Sequence, residues 1–271
     1  MRIPITMCHG VYARPEDSAR PFQQDHFDRL MQIPAELGFT SINYDDLAAW
    51  RAGEKSLPAR PIMIDFDHPF RSVVFECREV LDRYGFRANF FINTGLFDLI
   101  FGGVRRPEFA GRVATWEELA ALRDAGWHFG AHTVTHPDLS QLSLEDPQGE
   151  RFRAELEEND ATLQANLGVT PRDFAFTGTS WSSVAERLVK ERYRFGRLWI
   201  VGNEYNVDGQ KLRYAELVGA PGPDEPDGGP PGGARYITEH TDPYRLPSME
   251  LEKLIYEPEA FRRYLEESGE E

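Results

Sequence analysis

Cysteine is almost missing from this 271-residue chain, with Cys8 and Cys77 the only two. Two thiols do not make a disulfide framework, and the apolar surroundings of both predict buried free cysteines. Long apolar runs are missing too, and nothing in the sequence is long enough to span a bilayer. The N-terminal Met1-Arg2-Ile3-Pro4 runs into an expected strand, without the apolar core and small-residue cleavage site of a secretory leader. A cytoplasmic location is therefore the expectation. Positive charge is scarce: 30 Lys and Arg face 45 Asp and Glu, for a net charge of -15. That balance argues against a phosphate backbone as partner, since nucleic-acid binders concentrate cations. Part of the acidic excess, Glu266, Glu267, Glu270 and Glu271, reads as a solvated tail. Internal repeats and linkers are absent as well, so a single domain over residues 1–271 is expected.

What is present is an alternation of short apolar runs and helical patterns, with an apolar fraction of 41% that allows a sizeable core. Ile3 to Met7, Pro61 to Ile64, Ala88 to Ile92, Trp127 to Gly130, Phe174 to Phe176 and Arg197 to Val201 read as strands. Between them, Asp25 to Leu37, Asp45 to Trp50, Arg71 to Tyr84, Gly149 to Leu167 and Ser182 to Tyr193 read as helices. Thr115-Trp116-Glu117-Glu118 is a capping box that opens a further helix, and a last helix is expected around Pro258 to Glu266. The Gly- and Pro-rich stretch 219–233 predicts a mobile surface loop. Polar clusters at positions 9, 65–68, 132–136 and 177–181 each follow an expected strand. In parallel α/β barrels, loops at those strand ends assemble the site. A distorted or incomplete (β/α) barrel of parallel strands is thus predicted, in preference to an open doubly wound sheet.

His132 and His136 stand four apart, just after an apolar segment, in Gly130-Ala131-His132-Thr133-Val134-Thr135-His136-Pro137. Two imidazoles so placed can face one ion, and imidazole suits zinc, cobalt, nickel and iron. A second cluster, Asp65-Phe66-Asp67-His68, ends another apolar run. Three ligands drawn from the two clusters predict a divalent-metal site, with zinc first and cobalt, nickel, iron or manganese also suited. A neighbouring carboxylate would take a proton from water and a further acid would protonate the leaving group, which is the chemistry of an amide or ester hydrolase. His26, His128 and His240 are expected in packing or surface roles. Arg71 is a candidate partner for an aspartate base, or an ordinary exposed arginine. Trp181 reads either as the aromatic wall of a pocket or as a core tryptophan.

Taken in order, four segments resemble the polysaccharide deacetylase superfamily (carbohydrate esterase family four) over about residues 3 to 250. They are Met7-Cys8-His9, the run from Asp65 to Ser72, the run from His132 to Leu139, and Phe174-Ala175-Phe176. The resemblance is strongest to the permuted branch that includes poly-N-acetylglucosamine deacetylases, where the general-acid histidine sits near the N-terminus. It implies a distorted (β/α) barrel, a divalent metal, and removal of acetyl groups from an N-acetylated sugar or a related small amide. It also implies that His132 and His136 are metal ligands and that His9 is the general acid. The family's T-F-D-D-G aligns without a gap on Asp65-Phe66-Asp67-His68-Pro69, making Asp67 the base and His68 the third ligand. In a second register Asp65 is the base and Asp67 the ligand. Where the family has Pro-Tyr-Gly, with an oxyanion-binding backbone N–H, this chain has Thr177-Gly178-Thr179-Ser180-Trp181. Gly178 keeps the backbone approachable there. The family's Asp–Trp motif has no counterpart in 197–210. Two alternative readings remain open: an inactive relative that binds a glycan, and a hydrolase of cyclic amides or imides.

Overall fold

Parallel strands of alternating inward and outward residues close into a ring in the computed structural model, which describes residues 1–11 and 22–269. The strands are β1 (Ile5–Cys8), β2 (Pro61–Asp67), β3 (Asn89–Ile92), β4 (His128–Ala131), β5 (Asp173–Ala175), β6 (Phe195–Ile200) and β7 (Leu246–Glu250). Their order around the ring is their order in the chain, and β1 pairs with both β2 and β7. Closure leaves the ring no free edge. The two-residue strand Thr40–Ser41 lies outside it, beside the start of β2. The barrel expected from the sequence is therefore closed by seven strands. Its closing strand, Leu246-Pro247-Ser248-Met249-Glu250, is hidden in the sequence because Pro247 cannot donate to a ladder and the polar residues mask the apolar ones.

Alternation along each strand sorts the side chains into two cores. Ile5, Met63, Phe91, Ala175, Phe195 and Leu246 pack together inside the ring. Ile62, Ile64, Phe66, Phe90, Phe129 and Leu198 instead join the larger outer layer under the helices. By the same period, Asp65 and Asp67 share the inner face of β2, and Arg197 and Trp199 share that of β6. Inner residues near the C-terminal ends of β2 and β6 are thus polar.

The outer layer includes α1 (Gln24–Glu36), α2 (Tyr44–Arg51), α3 (Arg78–Tyr84), α4 (Trp116–Asp124), α5 (Leu139–Glu145), α6 (Glu150–Leu167) and α7 (Ser183–Arg192). The α5 helix was not expected from the sequence, and α3 is entered through a π-type turn, Val73–Cys77. Thr115 and Glu118 form the anticipated capping box at the start of α4. Tyr44 and Leu47 of α2 join the inner core and stop the lower end of the barrel. Cys8 and Cys77 are both free and buried.

Stretch 219–233 carries short turns at 225–228 and at Gly232–Ala234. Buried Arg235 donates to the Asp227 carboxylate at 2.8 Å and to the Pro230 carbonyl at 2.6 Å, a tie that composition does not reveal. Of the acidic tail, Glu266 and Glu267 belong to the helix Pro258–Glu267, while Glu270 and Glu271 fall outside the described residues. Among the described residues, no helix is long and apolar enough to cross a membrane.

Gly130 in β4 marks the tightest approach inside the ring. A Cβ there would lie 2.3 Å from the Phe91 ring and 3.1 Å from the Asp173 carbonyl. Overpacking of this kind costs about 1–3 kcal/mol. Gly130→Ala is accordingly expected to lower the unfolding free energy in urea by that amount, and an unchanged value would show that the Phe91 ring yields freely.

Candidate metal centre

Only β3 separates β2 from β4, so the ends of these two strands deliver His68 and His132 side by side. With His136 they form a group whose ligand-capable atoms lie within 4.8 Å of one another. The ring centroids are 5.1 Å apart for His68 and His132, 5.0 Å for His68 and His136, and 4.9 Å for His132 and His136.

The backbone that presents these rings is unusual. His68, Thr133 and His136 have φ values of 66°, 66° and 57°, in the left-handed region that non-glycine residues seldom occupy. Surrounding hydrogen bonds hold them there. The His68 N–H donates to the Phe91 carbonyl at 3.0 Å, and the His136 N–H donates to the Thr133 hydroxyl at 3.0 Å. From α6, Glu155 accepts the N–H groups of Val134 and Thr135 at 2.9 and 2.8 Å. One turn on, Asn159 donates to the carbonyls of Thr133 and Ile92 at 2.5 and 2.9 Å. The polar helix of the sequence is therefore the support of the histidine loop.

Hydrogen bonding also selects the tautomers. His132 Nδ1 lies 2.8 Å from the Ala175 carbonyl and His68 Nδ1 lies 2.8 Å from the Asn93 side-chain oxygen. A carbonyl oxygen only accepts, so each Nδ1 carries the proton and each Nε2 keeps its lone pair. His132 Nε2 is buried and has no hydrogen-bond partner among the described residues. Burial lowers the pKa of all three imidazoles, most strongly for His68 and His136, and keeps them in the neutral form that ligates metals.

Asp67 faces this group, with Oδ2 3.7 Å from His132 Nε2. Burial alone would raise its pKa, but Arg197, ahead of His132 and His68, holds the carboxyl down to about 2. Arg197 donates to Asp67 Oδ1 from across the ring. Asp65 sits one layer deeper and is not part of the histidine group. Its oxygens accept from Tyr44 at 2.8 Å and Asn89 at 2.9 Å, and Arg197 Nε lies 3.4 Å away. Burial, opposed by Arg197, pushes Asp65 up to about 6.

His9 follows β1 and stacks on His68, with centroids 5.2 Å apart and planes 15° from parallel. Glu252 accepts the His9 backbone N–H at 2.6 Å and faces its Nδ1 at 3.2 Å. Burial works to lower the His9 pKa, yet Glu252, then Glu250 and Asp67, raise it to about 9. Glu250 accepts from the Trp199 indole and from the Glu252 N–H, the latter at 3.0 Å. A carboxylate–tryptophan unit thus stands behind His9, although the stretch 197–210 shows no such motif by itself. Trp199 lies in that range, but its carboxylates come from β7 and the turn after it, which the sequence hides.

Two expected residues go elsewhere. Trp181 is only 5% exposed, donates its indole N–H to Glu186 at 3.1 Å and is covered by Arg245. Arg71 pairs with Glu118 at 2.8 Å, and the aspartate partner is Arg197 instead. Gly178 has φ 59° in the turn after β5, and, its chain neighbours aside, no group among the described residues lies within 4 Å of where a Cβ would stand. The Thr177 hydroxyl ties that turn to the Pro137 carbonyl. His26 stacks on Tyr256, His128 bonds Asp173 and His240 is exposed.

The profile of the family described as polysaccharide deacetylase matches residues 54–193, just over half of the chain. No curated sequence matches. Among solved structures, the deacetylase PplD of Streptococcus pyogenes in complex with acetate is similar at 16% identity and TM-score 0.70, over 98% of each chain. IcaB of Ammonifex degensii is similar at 15% identity and TM-score 0.67, over 99% of this chain and 97% of that one. A polysaccharide deacetylase of Bacillus cereus is similar at 14% identity and TM-score 0.67, over 98% of this chain and 69% of that one. At such identities the structural likeness establishes a shared fold, and the profile match supplies the rest: the chain belongs to the polysaccharide deacetylase family.

Proposed function

We propose that this chain is a divalent-metal-dependent deacetylase acting on an N-acetylated sugar, with His68, His132 and His136 as the ligands. The observation that carries the proposal is the buried Nε2 of His132, without a hydrogen-bond partner among the described residues, set among neutral imidazoles and beside an ionised aspartate. An all-histidine set, with the tautomers of His68 and His132 fixed, suits zinc, with cobalt, nickel, iron and manganese as alternatives. A divalent ion held there would polarise the acetyl carbonyl and acidify the attacking water.

The chain's own groups do the rest. Asp67 is ionised and acceptor-only, so it takes the proton from the water, while Arg197 keeps it charged and oriented. The backbone N–H at Gly178 is assigned to the oxyanion. His9 has its Nδ1 engaged by Glu252 and turns its other nitrogen to the leaving amine, to which it gives a proton. The C–N bond breaks, and acetate and a free amine are released. The S. pyogenes and B. cereus neighbours, a deacetylase holding acetate and a polysaccharide deacetylase, support the same substrate class. The altered first motif favours an inactive glycan binder, and His68 beside the other two histidines weakens that reading.

Chelation followed by metal return tests the proposal. Purified protein is expected to carry about one divalent ion per chain. It should lose acetate release from acetylated chitooligosaccharides in a strong chelator and regain it with zinc or cobalt. Full activity in the chelator, or no acetate with any divalent ion, would overturn it.

A further inference from the structure

Two buried aspartates share one buried guanidinium in the upper half of the barrel. Arg197 reaches Asp67 through Nη2 and approaches Asp65 through Nε at 3.4 Å, and all three side chains are essentially without solvent contact. The other holds on Arg197 are few. Its guanidinium lies 4.9 Å from the centre of the Phe91 ring, and neither Nη1 nor Nε has a hydrogen-bond partner among the described residues, so Asp65 meets it as an ion pair. The two carboxylates and one ring therefore set where the guanidinium lies. A single contact to Asp67 would leave its plane free to turn, and the Asp65 charge on the Nε side favours one orientation of that plane.

Asp65 is itself held from below. Its Oδ1 accepts from Asn89 at 2.9 Å and its Oδ2 from the Tyr44 hydroxyl at 2.8 Å. With both oxygens occupied it is poorly placed to take a proton from water. Tyr44 belongs to α2, the helix that stops the lower end of the barrel, and its ring is wedged edge-on to Phe91 at 5.3 Å and stacked on His128 at 5.6 Å. A capping box between Asn43 and Asp46 fixes the start of that helix. Burial beside Asp65 keeps the Tyr44 hydroxyl protonated, and hence a donor.

We infer that Tyr44, Asn89 and Asp65 are positioning residues: they anchor Arg197 from the barrel interior so that Arg197 can aim Asp67. The inference rests on Asp67 being the base of the proposed deacetylation, and it removes Asp65 from the candidate bases. Tyr44→Phe deletes one donor with little change of shape. Misplacing a reacting group by about 1 Å can cost ~10²-fold in rate.

The test compares wild type and Tyr44→Phe, both zinc-loaded. The expected result is a kcat about tenfold or more lower, with KM and bound zinc unchanged. In crystals of the variant, Arg197 should be displaced from Asp67. Unchanged kcat overturns the inference, as does a lower kcat with the Arg197–Asp67 contact intact. Were the wild type to release no acetate with any metal, the functional proposal would fail, and the crystallographic arm would still decide this one. Should Tyr44→Phe not fold, Asn89→Ala strips the other donor from Asp65 and carries the same expectations.

Discussion

Asp67→Asn should leave a metal-loaded protein that turns over about 10²–10⁴-fold more slowly, the range that a general base contributes. His68→Ala should instead empty the site. The contrast follows from where each residue stands. His68 has its Nδ1 tied to Asn93 and lies in a common group with His132 and His136, whereas Asp67 is tied to Arg197 and approaches His132 only to 3.7 Å. A ligand lost from a set of three removes an open tetrahedral site. A base lost beside an intact set removes turnover alone. Metal content and kcat of the two variants, measured side by side, decide between the registers of the first motif. If Asp67→Asn loses its metal as completely as His68→Ala, Asp67 is a ligand and the register with Asp65 as base returns.

Much of this centre is legible in the sequence because its parts are local. His132 and His136 lie within one loop, and Asp67 and His68 are adjacent at the end of a plainly apolar strand. The alternation of strands and helices likewise points to a parallel barrel. What the sequence conceals depends on long-range pairing. Arg197 stands 130 residues from Asp67, in a strand that reads as ordinary, and its inward direction follows only from the ring's registers. Glu250 and Glu252 are concealed with β7, whose Pro247 argues against a strand. Glu155 and Asn159 look like surface polar residues of a long helix, and only their i, i+4 spacing hints at a shared task. A period-2 reading of Arg197-Leu198-Trp199, which puts Arg197 and Trp199 on one face, is the one signal of that pair in the sequence.

Arg197→Met is expected to destabilise the metal-free chain by about 3–5 kcal/mol, the cost of leaving a buried charge without its partner. The methionine replaces much of the aliphatic stem, so the loss reports charge rather than volume. Two carboxylates would be stranded, since Asp65 and Asp67 are 0% and 2% exposed and both lean on the same guanidinium. Arg71→Met supplies the control. Its side chain is 47% exposed in the pair with Glu118, and pairs of that kind contribute roughly 0–1 kcal/mol. The decisive comparison adds Asp67→Asn to Arg197→Met. If the first loss comes from an unpaired charge, removing that charge should return part of it, as a coupling of about 0.5–3 kcal/mol between contacting residues. Urea unfolding of the four chains in the cycle measures the coupling. Additive losses would show that Arg197 stabilises the barrel by packing against Phe91 alone, and that the aspartates of β2 tolerate their burial without it.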